Sequence, residues 1–367
     1  MNIYVAINHA IKSAELRILE ATYLSMSKQD ESIFLIDSTS LTKPEKSSLF
    51  IGASCDPLFR EFCRNNNVSS FISLVDINSF SEINELIRYH NGIIVQTPRH
   101  KKLIELMTDL PVILIHEEMD PLYINKTKLN EHGLNNDKSI SWFGYGINFN
   151  KSLTHLVPVI KRALSENLVS DFKIHCRRTR GFDIDPLFQF VPFDERNIRD
   201  SLSVSNYCLL SHVPLDLHIN TIIKSPNKLI SAINSGVIPI CSHTPSYSEF
   251  MNLLGLDEFI FTSPKDLYKI FAKLDPSNDR KKLIAAQEKL QIINEQQVAQ
   301  NIITIKSIED VHDRPVTIDK KSVDHINNFE TMSVSDALGQ LMIVLEIEFR
   351  RIPNALARHI KKLIPFR

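Results

Sequence analysis

No stretch of the 367 residues approaches the roughly 18–20 uncharged apolar residues that span a bilayer; the densest late run, 341–345, meets Glu346 at once. An excess of charge of one sign is missing too. Lys plus Arg is 42 and Asp plus Glu is 43, so a net charge of −1 gives no global field to hold a nucleic-acid backbone. The five cysteines (Cys55, Cys63, Cys176, Cys208 and Cys241) are odd in number and contain no Cys-x-x-Cys pair. They read as reduced, mostly buried thiols of a cytosolic protein rather than a disulfide framework. The first ten residues hold neither a basic stretch nor a long apolar core, so a secretory leader is not expected. What is present is an ordinary globular composition, 43% hydrophobic and 23% charged, at a length that predicts two domains.

Short apolar runs alternate with helical-period stretches. The runs at 2–7, 32–36, 48–52, 71–75, 92–96 and 111–116 are β-branched or aromatic and continuous in hydrophobicity, as parallel strands covered on both faces are. Amphipathic segments at 11–26, 56–65, 81–89 and 101–109 lie between them. A second series follows, with strands at 140–144, 171–176, 188–191, 207–210, 238–242 and 258–261 and helices at 153–165, 195–204 and 227–235. The class is therefore α/β: two doubly wound Rossmann-like domains facing across a cleft, with a C-terminal helical tail. The boundaries predicted are 1–125 for the first domain, a polar Asn-rich linker at 126–139, 140–320 for the second domain, and 321–367 for the tail.

The segment 213–249 carries the densest chemistry. A polar loop containing Asn220, Lys224, Ser225 and Asn227 leads into a helix, with Ser225 fitting an N-cap and Pro226 the first helical position. Exposed amides at such a helix start, with Lys224 and Lys228 beside them, form an anion site suited to a diphosphate. A capped helix with two solvated lysines is the competing reading. Gly144 and Gly146 form a Gly-x-Gly turn that would let backbone approach a phosphate, or serve only as a strand-to-helix turn. No third glycine completes the dinucleotide fingerprint, which disfavours a nicotinamide-dependent oxidoreductase. Arg177 and Arg178 end a strand, where a guanidinium could meet a phosphate in the cleft or stay solvated.

Pro214, Leu215, Asn220, Lys224, Ser225, Lys228, Gly236, Pro239 and Tyr247 together resemble the donor-binding stretch of GT-B glycosyltransferases, especially bacterial polysaccharide and lipopolysaccharide enzymes. Trp142-Phe143-Gly144-Tyr145-Gly146 resembles the first strand and glycine turn of their donor domain, and Val191-Pro192-Phe193 the loop that cradles the base. The resemblance runs over about 140–258 and implies that Lys224 and Ser225 lie against the diphosphate of a nucleotide sugar. One departure stands out. Many retaining members carry two Glu residues eight positions apart, and here Ile223 and Ser231 take those places, so the stereochemical outcome stays open.

The resemblance puts the acceptor, and with it the proton acceptor, in the N-terminal domain. His9, Asp56, Glu117, Glu118 and Asp120 follow strands there and are the candidates. His9 equally fits a helix cap, and Asp56 before Pro57 fits an N-cap with proline at the first helical position. The histidines His212, His218 and His243 have no spacing that completes a metal site, so no metal and no cofactor is expected, the nucleotide sugar being a substrate. The last residues hold six cations and no acid after Glu348; 350–367 could form a basic amphipathic helix on an anionic inner leaflet or pack back on the core. The reading is a cytoplasmic glycosyltransferase, peripheral at most, acting on a glycan or glycolipid acceptor and not on nucleic acid. A silent GT-B-like partner protein and a nucleotide-sugar epimerase are the alternatives.

Overall fold

The structure, a computed structural model, describes residues 1–11, 13–42, 48–76, 83, 85–86, 88–117, 137–177, 185–193, 198–212 and 219–308. The chain divides into two compact units, one of Met1–Glu118, Leu215–Ser225 and Glu295–Arg367, the other of Met119–Pro214 and Pro226–Asn294.

In the first unit, β1 (Asn2–Ile7), β2 (Ile33–Asp37), β3 (Ser48–Ala53), β4 (Ser70–Ser73), β5 (Gly92–Val95) and β6 (Val112–Leu114) form one sheet in the order β2-β1-β3-β4-β5-β6. Every pairing is parallel. All residues of β3, β4 and β5 are buried, which is why their sequences do not alternate. Helices begin where strands end. Asp56 and Thr97 cap the helices Pro57–Asn66 and Pro98–Glu105, each with proline in the first turn, and Ser13 caps Ala14–Ser27.

In the second unit, β7 (Ile140–Tyr145), β8 (Phe172–Arg177), β9 (Gln189–Pro192), β10 (Tyr207–Leu210), β11 (Ile238–Ser242) and β12 (Ile260–Phe261) run parallel in the order β12-β11-β10-β7-β8-β9. Counted from β7, that is the 3-2-1-4-5-6 order of a dinucleotide-binding sheet, with its switch point between β7 and β10. The first sheet has the other doubly wound order and switches between β1 and β3. Both doubly wound sheets match the expected α/β class.

Two parts of the expected layout change. Residues 219–225 and 295–308 lie in the first unit, not in a second domain running through 140–320. The reason is apolar burial. Ile222 and Ile223 pack into the core with Phe50, Ile72 and Val95. Val298, Ile305 and Ile308 pack with Ile3, Val5 and Leu16. Residues 219–223 are helical (Ile219–Ile223) rather than loop, and this places Asn220 on a helix. The helices Gly146–Ser152, Pro245–Leu254, Pro264–Lys273 and the 31-residue Pro276–Lys306 were not anticipated. The expected linker 126–139 falls outside the described residues up to 136, as does the whole tail 321–367.

Candidate functional site

At the switch point of the second sheet, the carboxyl end of β7 and the helix Asn227–Asn234 supply the central contacts. Lys228 Nζ donates to the Phe143 carbonyl at 3.4 Å and stands 5.8 Å from the Trp142 ring centroid and 5.6 Å from that of Phe143. Gly144 follows at once. A Cβ there would lie 3.1 Å from Trp142 Cη2 and 3.2 Å from Lys228 Nζ, close enough that the ammonium would have to shift by a few tenths of an ångström. Trp142 itself is fixed from behind, its indole donating to Ser211 Oγ at 3.2 Å just past β10. Tyr145 is exposed and Gly146 opens the helix Gly146–Ser152.

The helix Asn227–Asn234 has Pro226 at its N-cap and no side-chain capping bond. It ends with Gly236 at φ 76°, the left-handed residue after the cap, and Val237 N–H bonds Ala232 O. Tyr247 is buried, and the His212 ring meets it edge-on at 4.7 Å between centroids. The His212 amide donates to Ser242 Oγ at 2.9 Å, joining the ends of β10 and β11. Deeper in the sheet, His175 hydrogen-bonds Ser141 Oγ at 3.1 Å, and burial with the nearby Lys173 charge lowers its pKa to about 4.

Lys224 and Ser225 are engaged elsewhere, in the first unit. The Lys224 ammonium pairs with Asp76 at 3.1 Å, and Ser225 Oγ donates to the buried Glu117 carboxylate at 2.7 Å. The Ile223 carbonyl accepts from Thr97 Oγ1 at 2.8 Å. Three consecutive residues thus bind the polar groups that follow β5, β4 and β6. This corrects the capping role expected of Ser225: the helix starts one residue later, with Pro226 at its N-cap, and the Ser225 hydroxyl is turned to donate to a carboxylate. Beside them His100 is 1% exposed; burial lowers its pKa to about 4, with Asp76 pulling it up and Lys224 pushing it down.

At the first sheet's own switch point, Asp56 is completely buried. Its oxygens accept from Asn8 Nδ2 at 3.0 Å, the Ser38 hydroxyl, and the amides of Leu58 and Phe59. It is the N-cap the sequence allowed for, with every bond directed inward. His9 is exposed just after β1. Glu15, missed by sequence reading, accepts from the Ser54 amide and hydroxyl, both at 3.0 Å, and burial raises its pKa. Asp76, also missed, is the acid ending the run FISLVD, a polar residue just past a strand.

Pro192 ends β9 exposed, and the Phe193 amide donates to Cys176 O at 3.0 Å. Arg177 ends β8. Glu118, Asp120, Arg178, Pro214, Leu215 and His218 lie outside the described residues. Among the described residues no group of three or more His, Cys, Asp or Glu could hold a metal ion, and no helix is long and apolar enough to cross a membrane.

No family model and no curated protein matches the sequence. Solved structures do match the fold. T4 phage β-glucosyltransferase superposes with a TM-score of 0.55 at 9% identity, covering 86% of this chain and 100% of its own. The fold is GT-B. A Thermobaculum terrenum O-GlcNAc transferase mutant matches with a TM-score of 0.51 at 8% identity, over 89% of this chain and 68% of that one. A mutant of S. aureus TarM, solved with fondaparinux, α-GlcNAc-glycerol and UDP, gives 0.50 at 12% identity over 73% of this chain. The present chain spans 55% of the TarM length. Within the GT-B fold, the Gly144 turn and Lys228 belong to the unit with the dinucleotide-type sheet, and Lys224 and Ser225 to the other.

Proposed function

We propose that the protein is a glycosyltransferase that binds a nucleotide sugar at the switch point of its second sheet. One observation carries this reading: the Lys228 ammonium held over the glycine turn that ends β7, beside a helix start with no side-chain cap. A diphosphate needs a cation, a close approach of backbone and the positive end of a helix together, and these residues supply all three. UDP stands in the TarM complex and UDP-glucose in a T4 enzyme complex, which supports a uridine nucleotide as the donor carrier. Pro192 at the end of β9 and Phe193 after it would face the base, and Arg177 the phosphates. His9 is the exposed candidate for accepting the acceptor proton. A growing surface glycan (capsule, O-antigen or lipooligosaccharide) is the proposed acceptor. Transfer would proceed without a protein-bound metal, in the cytoplasm, with 350–367 as a membrane contact.

The test is a thermal-shift panel of nucleoside mono- and diphosphates, followed by calorimetry with the best ligand. UDP should raise the melting temperature, and Lys228→Ala should weaken UDP about tenfold, the loss of one charge-assisted contact. If no nucleotide stabilises the protein, the donor site is refuted.

A second reading is a GT-B partner protein that binds nucleotide sugar without turnover. It is favoured by the Lys224–Asp76 pair and the Ser225–Glu117 bond, which occupy the two residues expected on the diphosphate. UDP binding with no release of UDP from any UDP-sugar, with or without acceptor glycans, would select it.

A further inference from the structure

The first unit contains a pocket at the carboxyl edge of its sheet, under the helix Ala14–Ser27. Its polar lining is Glu15, Thr22, Tyr23, Ser73, Gln96 and Glu117, the remainder is aliphatic, and the space left is that of about one water molecule. No Lys, Arg or His lines it. The Glu15 carboxylate has neutral partners, the Ser54 amide and hydroxyl, both on Oε1. Tyr23 is 1% exposed, and its hydroxyl has no hydrogen-bond partner among the described residues.

Buried carboxylates are stable when paired with a cation or a metal, and a buried hydroxyl without a partner is a cost of the same kind. Both point to an occupant that oxygen atoms would hold. We propose that this pocket binds one small monovalent cation through the oxygens of Glu15, Tyr23, Ser73 and Glu117. The lining offers oxygen ligands alone, which suits a hard ion and not zinc or copper. Two features favour single charge. Each carboxylate already accepts a protein donor, Glu117 from Ser225 at 2.7 Å and Glu15 from Ser54 at 3.0 Å. The space also has no room for the waters that Mg²⁺ keeps. A bound ion would tie the first helix to the ends of β4, β5 and β6 and, through Glu117, to the segment that carries Lys224 and Ser225.

The inference stands apart from sugar transfer and is tested without it. Thermal unfolding of the full chain is measured in KCl, NaCl and choline chloride at equal ionic strength. Potassium or sodium should raise the melting temperature by about 3 °C or more over choline, with saturation. Glu15→Gln should cut that difference to below about 1 °C, and Tyr23→Phe should reduce it at least by half. Should Glu15→Gln not fold, Tyr23→Phe, which removes a hydroxyl alone, carries the test. Equal melting in all three salts overturns the proposal, as does an ion response kept in every folded variant. A response confined to Mg²⁺ or Ca²⁺ also overturns it.

Discussion

Lys224 and Asp76, 148 residues apart in sequence, form an ion pair of 3.1 Å at the carboxyl edge of the first sheet. A lysine expected on a diphosphate is therefore already matched with a carboxylate. A phosphate drawn to this lysine would compete with Asp76 for it.

That competition has a measurable sign. Asp76→Asn removes the competitor, and UDP affinity should rise about threefold, the scale of a partly exposed ion pair. Lys224→Ala should lower it. Calorimetry with both variants decides the role of Lys224: unchanged UDP affinity in the two would leave it a purely structural cation.

Gly144→Ala tests the glycine turn. The added methyl would meet Trp142 Cη2 at 3.1 Å and the Lys228 ammonium at 3.2 Å. Trp142 is buried and braced by Ser211, so the lysine is the group that can yield. We expect a stability loss of about 1 kcal/mol in urea unfolding, typical of mild overpacking, and a larger effect on UDP binding than on folding.

Asp56→Ala should act on folding above all. It deletes a fully buried cap that serves Asn8, Ser38 and two helix amides, so a loss of about 2 kcal/mol or more is expected by denaturant unfolding. A variant that melts normally yet loses transfer would instead restore Asp56 as a chemical group.

Stability should fall with acid, for a stated reason. Burial lowers the pKa of His90 to about 3 and of His100 and His175 to about 4, from an ordinary 6.5. All three are neutral when folded, so below 6.5 the unfolded chain binds more protons. Their contribution is complete above that pH. It declines as pH drops and stops changing only below the folded values. Urea midpoints at pH 7.5, 6.5 and 5.5 check this as chosen settings, roughly one step either side of the histidine value. His175→Gln should flatten the slope.

Strand positions were plain in the sequence because both sheets are covered on two faces; β1, β10 and β11 occupy the residues expected of them. Gly144 and Lys228 also come together as expected, since a strand end and a helix start both gather at a sheet's carboxyl edge. The partners of Lys224 and Ser225 were hidden. A cation and a hydroxyl ahead of a helix look alike whether they meet a ligand or an acid, and Glu117 lies 108 residues from Ser225. The division of the second half was hidden for the same reason. Nothing local in Ile222, Ile223, Val298 or Ile305 says which of two hydrophobic cores receives them. Thr244-Pro245 and Ser263-Pro264 carry the same cap-and-proline signal as Asp56-Pro57, and helices start at both.

The first unit takes residues 215–225 and everything described from 295 on, so its core is complete only after the intervening chain has been made. During synthesis on the ribosome, the opening 118 residues must wait with part of their apolar surface uncovered while about half of the polypeptide emerges behind them. A fragment cut at that point would inherit the same exposed surface permanently. Aggregation of nascent or truncated chains, rather than slow strand pairing, is then the step at which a chaperone would matter.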